Sequence, residues 1–201
     1  MLIGMSRWIP AVLLLLPVAL SLSASGAPGA TDEVASAANQ PAGLILQIGE
    51  GERRVRRPKA AGLAGLPDPF IIKVDKLNGG SKDLVMGYEE LAPGQSIRPH
   101  RHLTADEIIF VHAGSGLVFL GDREAQVNAG GTVYIPANTR ISLRNTGNVP
   151  LAIAYIFSKP GFEDIQRENS VLEGQPATVI TPEERARNEA KHKWHTSYDD
   201  Q

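Results

Sequence analysis

Between Lys82 and Lys159 apolar and polar residues alternate in short runs, interrupted at regular intervals by Pro93-Gly94, Gly114-Ser-Gly116, Gly121-Asp122, Ala129-Gly130-Gly131, Pro136-Ala-Asn138 and Asn145-Thr-Gly-Asn148. Alternation with period two is the mark of a half-buried strand, and Gly, Pro and Asn supply the turns between. The pattern predicts strands near 84–91, 96–102, 106–112, 116–121, 124–128, 131–136, 140–145 and 150–158. Short strands at even spacing, with no helical period among them, indicate an all-β antiparallel sandwich or small barrel.

The flanks read differently. Residues 44–82 form an N-terminal extension, with a short strand expected at Leu44–Ile48 and another at Phe70–Asp75. Between them lies Arg53-Arg-Val-Arg-Arg-Pro-Lys59, expected as a solvated loop or a partner for nearby carboxylates. Residues 161–201 form a C-terminal extension in which Thr181-Pro-Glu-Glu opens a helix: Thr as N-cap, Pro at the first helical position, acids in the first turn. At the other end, Arg7 precedes an apolar run to Leu20 and then small residues, the layout of a secretory signal peptide over 1–27, with cleavage between Ala24 and Ala30. Pro10 and Pro17 break the run, which is too short for a stable membrane span once the leader is cut; an uncleaved signal anchor is the alternative. Residues 28–43 are small and polar, a linker. The expected location is periplasmic or secreted.

Composition narrows the chemistry. In 201 residues there is room for one domain with extensions, and a net charge of −2 gives no case for a nucleic-acid partner. The absence of cysteine excludes disulfides, thiolate metal sites, iron–sulfur clusters and thiol nucleophiles, so any metal is held by nitrogen and oxygen. No Gly-x-Ser-x-Gly elbow, phosphate loop or dinucleotide fingerprint is present. Glu89-Glu90 and Glu183-Glu184 are adjacent pairs, which in a strand or a helix do not make a glycosidase dyad.

The candidate chemistry lies at His100-Arg-His102 and Glu107. Histidines two apart on a strand share a face, and Glu107 opens the next strand across a short turn. Two imidazoles and one carboxylate with open positions suit a divalent metal such as Fe, Zn, Mn or Ni. Arg98 has the parity of His100 if the strand is unbroken and would then clamp an anionic substrate; a bulge at Pro99 would turn it outward. Tyr155 lies in the row Leu151, Ile153, Tyr155, Phe157, either as an acid or hydrogen-bond donor in the barrel or as plain core. His112 has the opposite parity to Glu107 and is expected outside. His192 and His195 are left out of the site.

The segment Gly94, His100, His102, Glu107, Gly114 resembles the first motif of the cupin superfamily, and Gly130, Pro136 and Asn145 resemble the second. The resemblance covers about 83–160 and implies a small antiparallel double-stranded β-barrel of jelly-roll type, often dimeric, with a metal in the barrel mouth. Two positions depart from the family pattern: Asn138 stands where Gly is usual, and Ile141 stands where the fourth metal-binding His is usual. The first is mild, because Asn tolerates positive φ; the second removes a ligand and lines the substrate pocket with an apolar group. One fold hosts many chemistries, so the resemblance itself fixes no activity; the three-ligand set favours an enzyme acting on a small organic substrate, with dioxygenase-like chemistry first. A metal-dependent lyase or isomerase, or a non-catalytic small-ligand binder, are the alternatives.

Overall fold

In a computed structural model of the chain, residues 43–59, 69–79 and 81–199 are described. The leader 1–27 and most of the linker 28–43 lie outside the described residues. In chain order the elements are β1 (Glu52–Arg56), β2 (Pro69–Val74), β3 (Val85–Leu91), β4 (Ser96–His102), β5 (Glu107–Ala113), β6 (Ser115–Leu120), β7 (Arg123–Asn128), β8 (Thr132–Ile135), β9 (Arg140–Asn145) and β10 (Leu151–Phe157). The C-terminal part adds α1 (Phe162–Glu168), β11 (Ser170–Leu172), α2 (Pro182–Lys191) and β12 (Thr196–Tyr198). No helix among the described residues is long and apolar enough to cross a membrane.

The strands form two antiparallel sheets, one ordered β11-β1-β2-β3-β10-β5-β8 and the other β12-β4-β9-β6-β7. This is the expected jelly-roll arrangement, with the two sheets facing each other and no continuous ladder around them. Alternation decides what lies between: Leu151, Ile153, Tyr155 and Phe157 of β10 and Glu107, Ile109 and Val111 of β5 are buried from one side, Ile141 and Leu143 of β9 from the other. Burying a side chain of this size is worth about 1.5–3 kcal/mol.

The turns explain the motif residues. Gly114 has φ +78°, and a Cβ there would press on the Pro150 carbonyl. Asn138 has φ +63°, so the left-handed position usually given to Gly is filled by the residue best able to replace it. Asn145 is buried and ties three backbone segments, donating to the carbonyls of Leu91 and Val149 at 2.8 Å each and accepting from the Gly147 amide at 2.9 Å.

The extensions differ from expectation in two respects. Leu44–Ile48 is not a strand; instead the Arg-rich run forms β1, between β2 and β11. Its arginines are paired, Arg53 with Glu173 and Arg57 with Glu184, in the distant C-terminal extension. The C-terminal extension holds two helices and two strands among the described residues, where a single helix was expected. The helix expected after Thr181 forms as α2, and Thr181 accepts from the Glu184 amide at 3.1 Å.

Candidate metal centre

His100 and His102 lie on β4 in one sheet and Glu107 opens β5 in the other, so the cluster bridges the two sheets inside the barrel. All three are buried, and one ligand atom from each lies within 4.8 Å of the others. The two Nε2 atoms are 3.0 Å apart, and His102 Nε2 is 3.4 Å from Glu107 Oε2.

Their outer atoms fix this orientation. His100 Nδ1 is 2.8 Å from the Arg98 carbonyl, which can only accept, so Nδ1 carries the proton and Nε2 offers its lone pair to the cluster. His102 Nδ1 is 3.1 Å from the Thr196 hydroxyl, and its ring packs edge-on against Phe157 and Phe162 at centroid distances of 4.5 and 5.3 Å.

Burial dominates the electrostatics. It pushes His100 down to about 4 and His102 to about 3, so both imidazoles are neutral near pH 7 and available as ligands. It pushes Glu107 up to about 7, where His100 lowers the value and the negative charge of Glu89 raises it further. Glu107 Oε2 is buried without a hydrogen-bond partner among the described residues. These residues fit a divalent first-row metal. Two imidazole nitrogens at right angles on bonds of about 2.1 Å stand about 3.0 Å apart, and a cation would satisfy the orphaned carboxylate oxygen.

Beside the cluster is a cavity of about 30 Å³, room for one or two waters. Ile97, Ile109, Ile141, Ile153 and Phe162 make its apolar wall, and Glu89, His100, Glu107 and Tyr155 its polar lining. Ile141 pairs across the ladder with His100. Tyr155 faces inward with its ring over Gly87, where a Cβ would overlap it. Burial first, then the negative charge of Glu89, raises its hydroxyl far above the ordinary tyrosine value, so the hydroxyl keeps its proton near pH 7.

Arg98 takes the outward course. Ile97 faces Leu143 and His100 faces Ile141, so three steps on β4 match two on β9, a bulge at Arg98-Pro99. The Arg98 guanidinium lies 3.5 Å from the Tyr198 ring centre and pairs with Glu189 of α2. It anchors the C-terminal arm and does not line the cavity. His112 is exposed on the outer face, as its parity implies.

Three participants escape the sequence reading. Glu89 points inward on β3, is 7% exposed, and is held by the Arg56 guanidinium of β1. Its alternation with Gly87 and Leu91 was the available signal. Thr196 and His195, both buried, approach His102 from the C-terminal arm, with the His195 ring centroid 5.5 Å from that of His102. Nothing local to residues 192–196 marks that contact.

Two facing antiparallel sheets enclose a His-x-His pair and a glutamate that could hold a metal, and residues 87–157 match the family described as the cupin domain. Residues 87–157 are thus a cupin domain. The chain is 35% identical over 85 residues to the dimethylsulfoniopropionate lyase DddW of Ruegeria pomeroyi, covering 42% of this chain and 55% of that protein. It is 39% identical over 66 residues to an uncharacterised protein of Methanocaldococcus jannaschii, covering 32% of this chain and 53% of that one. The chain spans about half the length of these curated relatives. Among solved structures, one described as a predicted oxalate decarboxylase from Thermotoga maritima aligns with 58% of this chain and 100% of that chain, at 18% identity and a TM-score of 0.49.

Proposed function

We propose that this chain is an exported enzyme that binds one divalent metal through His100, His102 and Glu107 and acts on a small organic substrate at the open face of that metal. The observation that carries the reading is the convergence of two neutral imidazole nitrogens and one unpartnered carboxylate oxygen within 4.8 Å, buried beside a cavity. When bound, the metal supplies Lewis acidity and open coordination positions. The protein supplies the rest. The isoleucine wall and Phe162 exclude water, Tyr155 donates a hydrogen bond to a substrate oxygen, and Glu89 accepts or returns a proton at its carboxylate, held in place by Arg56.

Dioxygenase-like chemistry is the first branch, because a set of two imidazoles and one carboxylate would leave coordination positions open. Lyase chemistry is the second. It is supported by the likeness to a protein named as a lyase and by a carboxylate, Glu89, beside a hydroxyl donor, Tyr155, in the cavity lining. The leader over 1–27 supports periplasmic or secreted placement of the mature protein. A homodimer is supported by Ile108, Phe110 and Tyr134, apolar side chains 40–56% exposed on the outer face of β5 and β8.

Elemental analysis of protein from the exported fraction tests the reading: close to one metal per chain is expected, and its loss in His100→Ala. Metal-free protein that takes up none of Fe, Zn, Mn or Ni on titration would overturn it. Oxygen uptake over a panel of small aromatic and keto acids, against release of an elimination product without oxygen, then separates the two branches.

A further inference from the structure

The C-terminal arm reaches the candidate metal centre from outside the segment that matches the family. β12 pairs with β4 in the register Thr196↔His102, Ser197↔Arg101 and Tyr198↔His100. The pairing is pinned on both sides: the Leu103 amide donates to the His195 carbonyl at 2.6 Å, and the Asp199 amide to the Pro99 carbonyl at 3.2 Å. Thr196 is 1% exposed, and its hydroxyl stands between two buried imidazoles, 3.1 Å from His102 Nδ1 and 2.8 Å from His195 Nδ1.

We infer that Thr196 is a positioning residue for the metal ligand His102, and that the C-terminal arm is part of the metal centre. This rests on the reading that the centre holds a metal. With a metal on His102 Nε2 the ring's proton sits on Nδ1, and because a hydroxyl is donor and acceptor at once, Thr196 accepts that proton while giving its own to His195 Nδ1. That holds the His102 proton on Nδ1 and keeps Nε2 free for the metal, and it fixes the plane of the ring. His100 receives the same treatment from the Arg98 carbonyl, so the two ligands are oriented by unlike partners, one within the β4 bulge and one on the arm. A partner of this kind commonly changes metal affinity by about 10–100-fold.

Zinc affinity, measured by competition with a chromophoric chelator, is compared in wild type, Thr196→Val and Thr196→Ser, with metal-free thermal unfolding as the control for the fold. Thr196→Val keeps the branched strand residue without the hydroxyl and is expected to weaken zinc binding by about 10–100-fold, while Thr196→Ser stays near wild type. A folded Thr196→Val that binds within threefold of wild type overturns the inference. Nitrogen-15 NMR of the wild-type imidazoles, which needs no variant, reads the same point: zinc-loaded protein should show His102 protonated at Nδ1 and metal-bound at Nε2. The reverse assignment overturns the role of Thr196 even if both variants unfold. Wild-type protein that takes up no zinc or other divalent metal fails earlier, at the metal reading itself, and removes both.

Discussion

Ile141 stands directly across the β4–β9 ladder from His100, with both side chains buried beside the same cavity. The position at which the family pattern offers a fourth ligand therefore lies beside the His100–His102–Glu107 cluster and is filled by a hydrocarbon. Ile141→His is expected to tighten divalent-metal binding at least about tenfold, the equivalent of ~1.4 kcal/mol, in chelator competition. It should also reduce turnover of an apolar substrate, because the wall becomes a ligand. Unchanged affinity would show that a side chain at this position does not reach the metal.

Glu89 shares the cavity without belonging to the ligand cluster. Glu89→Gln should leave the metal content at its wild-type value and lower turnover by about 100-fold or more, the range of a lost general acid or base. The combination of full metal loading with unimpaired turnover would reduce Glu89 to a wall residue.

Gly87 is needed for its lack of a side chain. Tyr155 occupies the space where a Cβ would stand, across the β3–β10 pair. Gly87→Ala should cost about 1–3 kcal/mol in chemical unfolding, as overpacking does, and should move the near-ultraviolet tyrosine signal. A variant as stable as wild type with the same spectrum would show that the ring is free to shift.

Arg167 joins two carboxylates under the first sheet. It hydrogen-bonds Glu52 Oε2 at 2.5 Å, and its Nη1 lies 2.6 Å from Asp75 Oδ2, an ion pair out of hydrogen-bond alignment. The Arg167 hydrogen bond holds Glu52 below the ordinary carboxylate range. Burial pushes Asp75 up, but Arg167 and the amides of Asn78 and Leu77 outweigh it and hold it low as well. Folded-state values below the unfolded ones mean stability that is present above the unfolded value near pH 4 and lost as pH falls through the folded values. Arg167→Ala should cost about 3 kcal/mol at pH 7 and flatten the decline below pH 4, read by urea unfolding at several pH values. An equally steep acid decline in the variant would place its origin elsewhere.

The eight barrel strands were legible because each is bounded by turn chemistry and carries period two, cues that act within ten residues. The His100–His102–Glu107 set was legible for the same reason: its members are close in sequence and strand parity puts both histidines on one side. What escaped depends on partners far along the chain. The Arg-rich run looks like a solvated loop until β2 and β11 lie on either side of it. Leu44–Ile48 looks like a strand but finds no ladder to join. Arg98 turned on a single extra residue at Pro99, and Glu89 on which phase of β3 faces inward, a choice fixed by its pairing with Ile153 of β10. Thr196 reaches His102 across 94 positions.

The match to the family ends at residue 157, yet the interior it encloses is finished by residues from both flanks, Arg56 ahead of it and Thr196 after it. A fragment cut to the family boundaries would keep His100, His102 and Glu107 and lose the partners that Glu89 and His102 find outside it. Exchanging the flanks between relatives could then retune what such a site accepts while its signature motif stays the same, letter for letter.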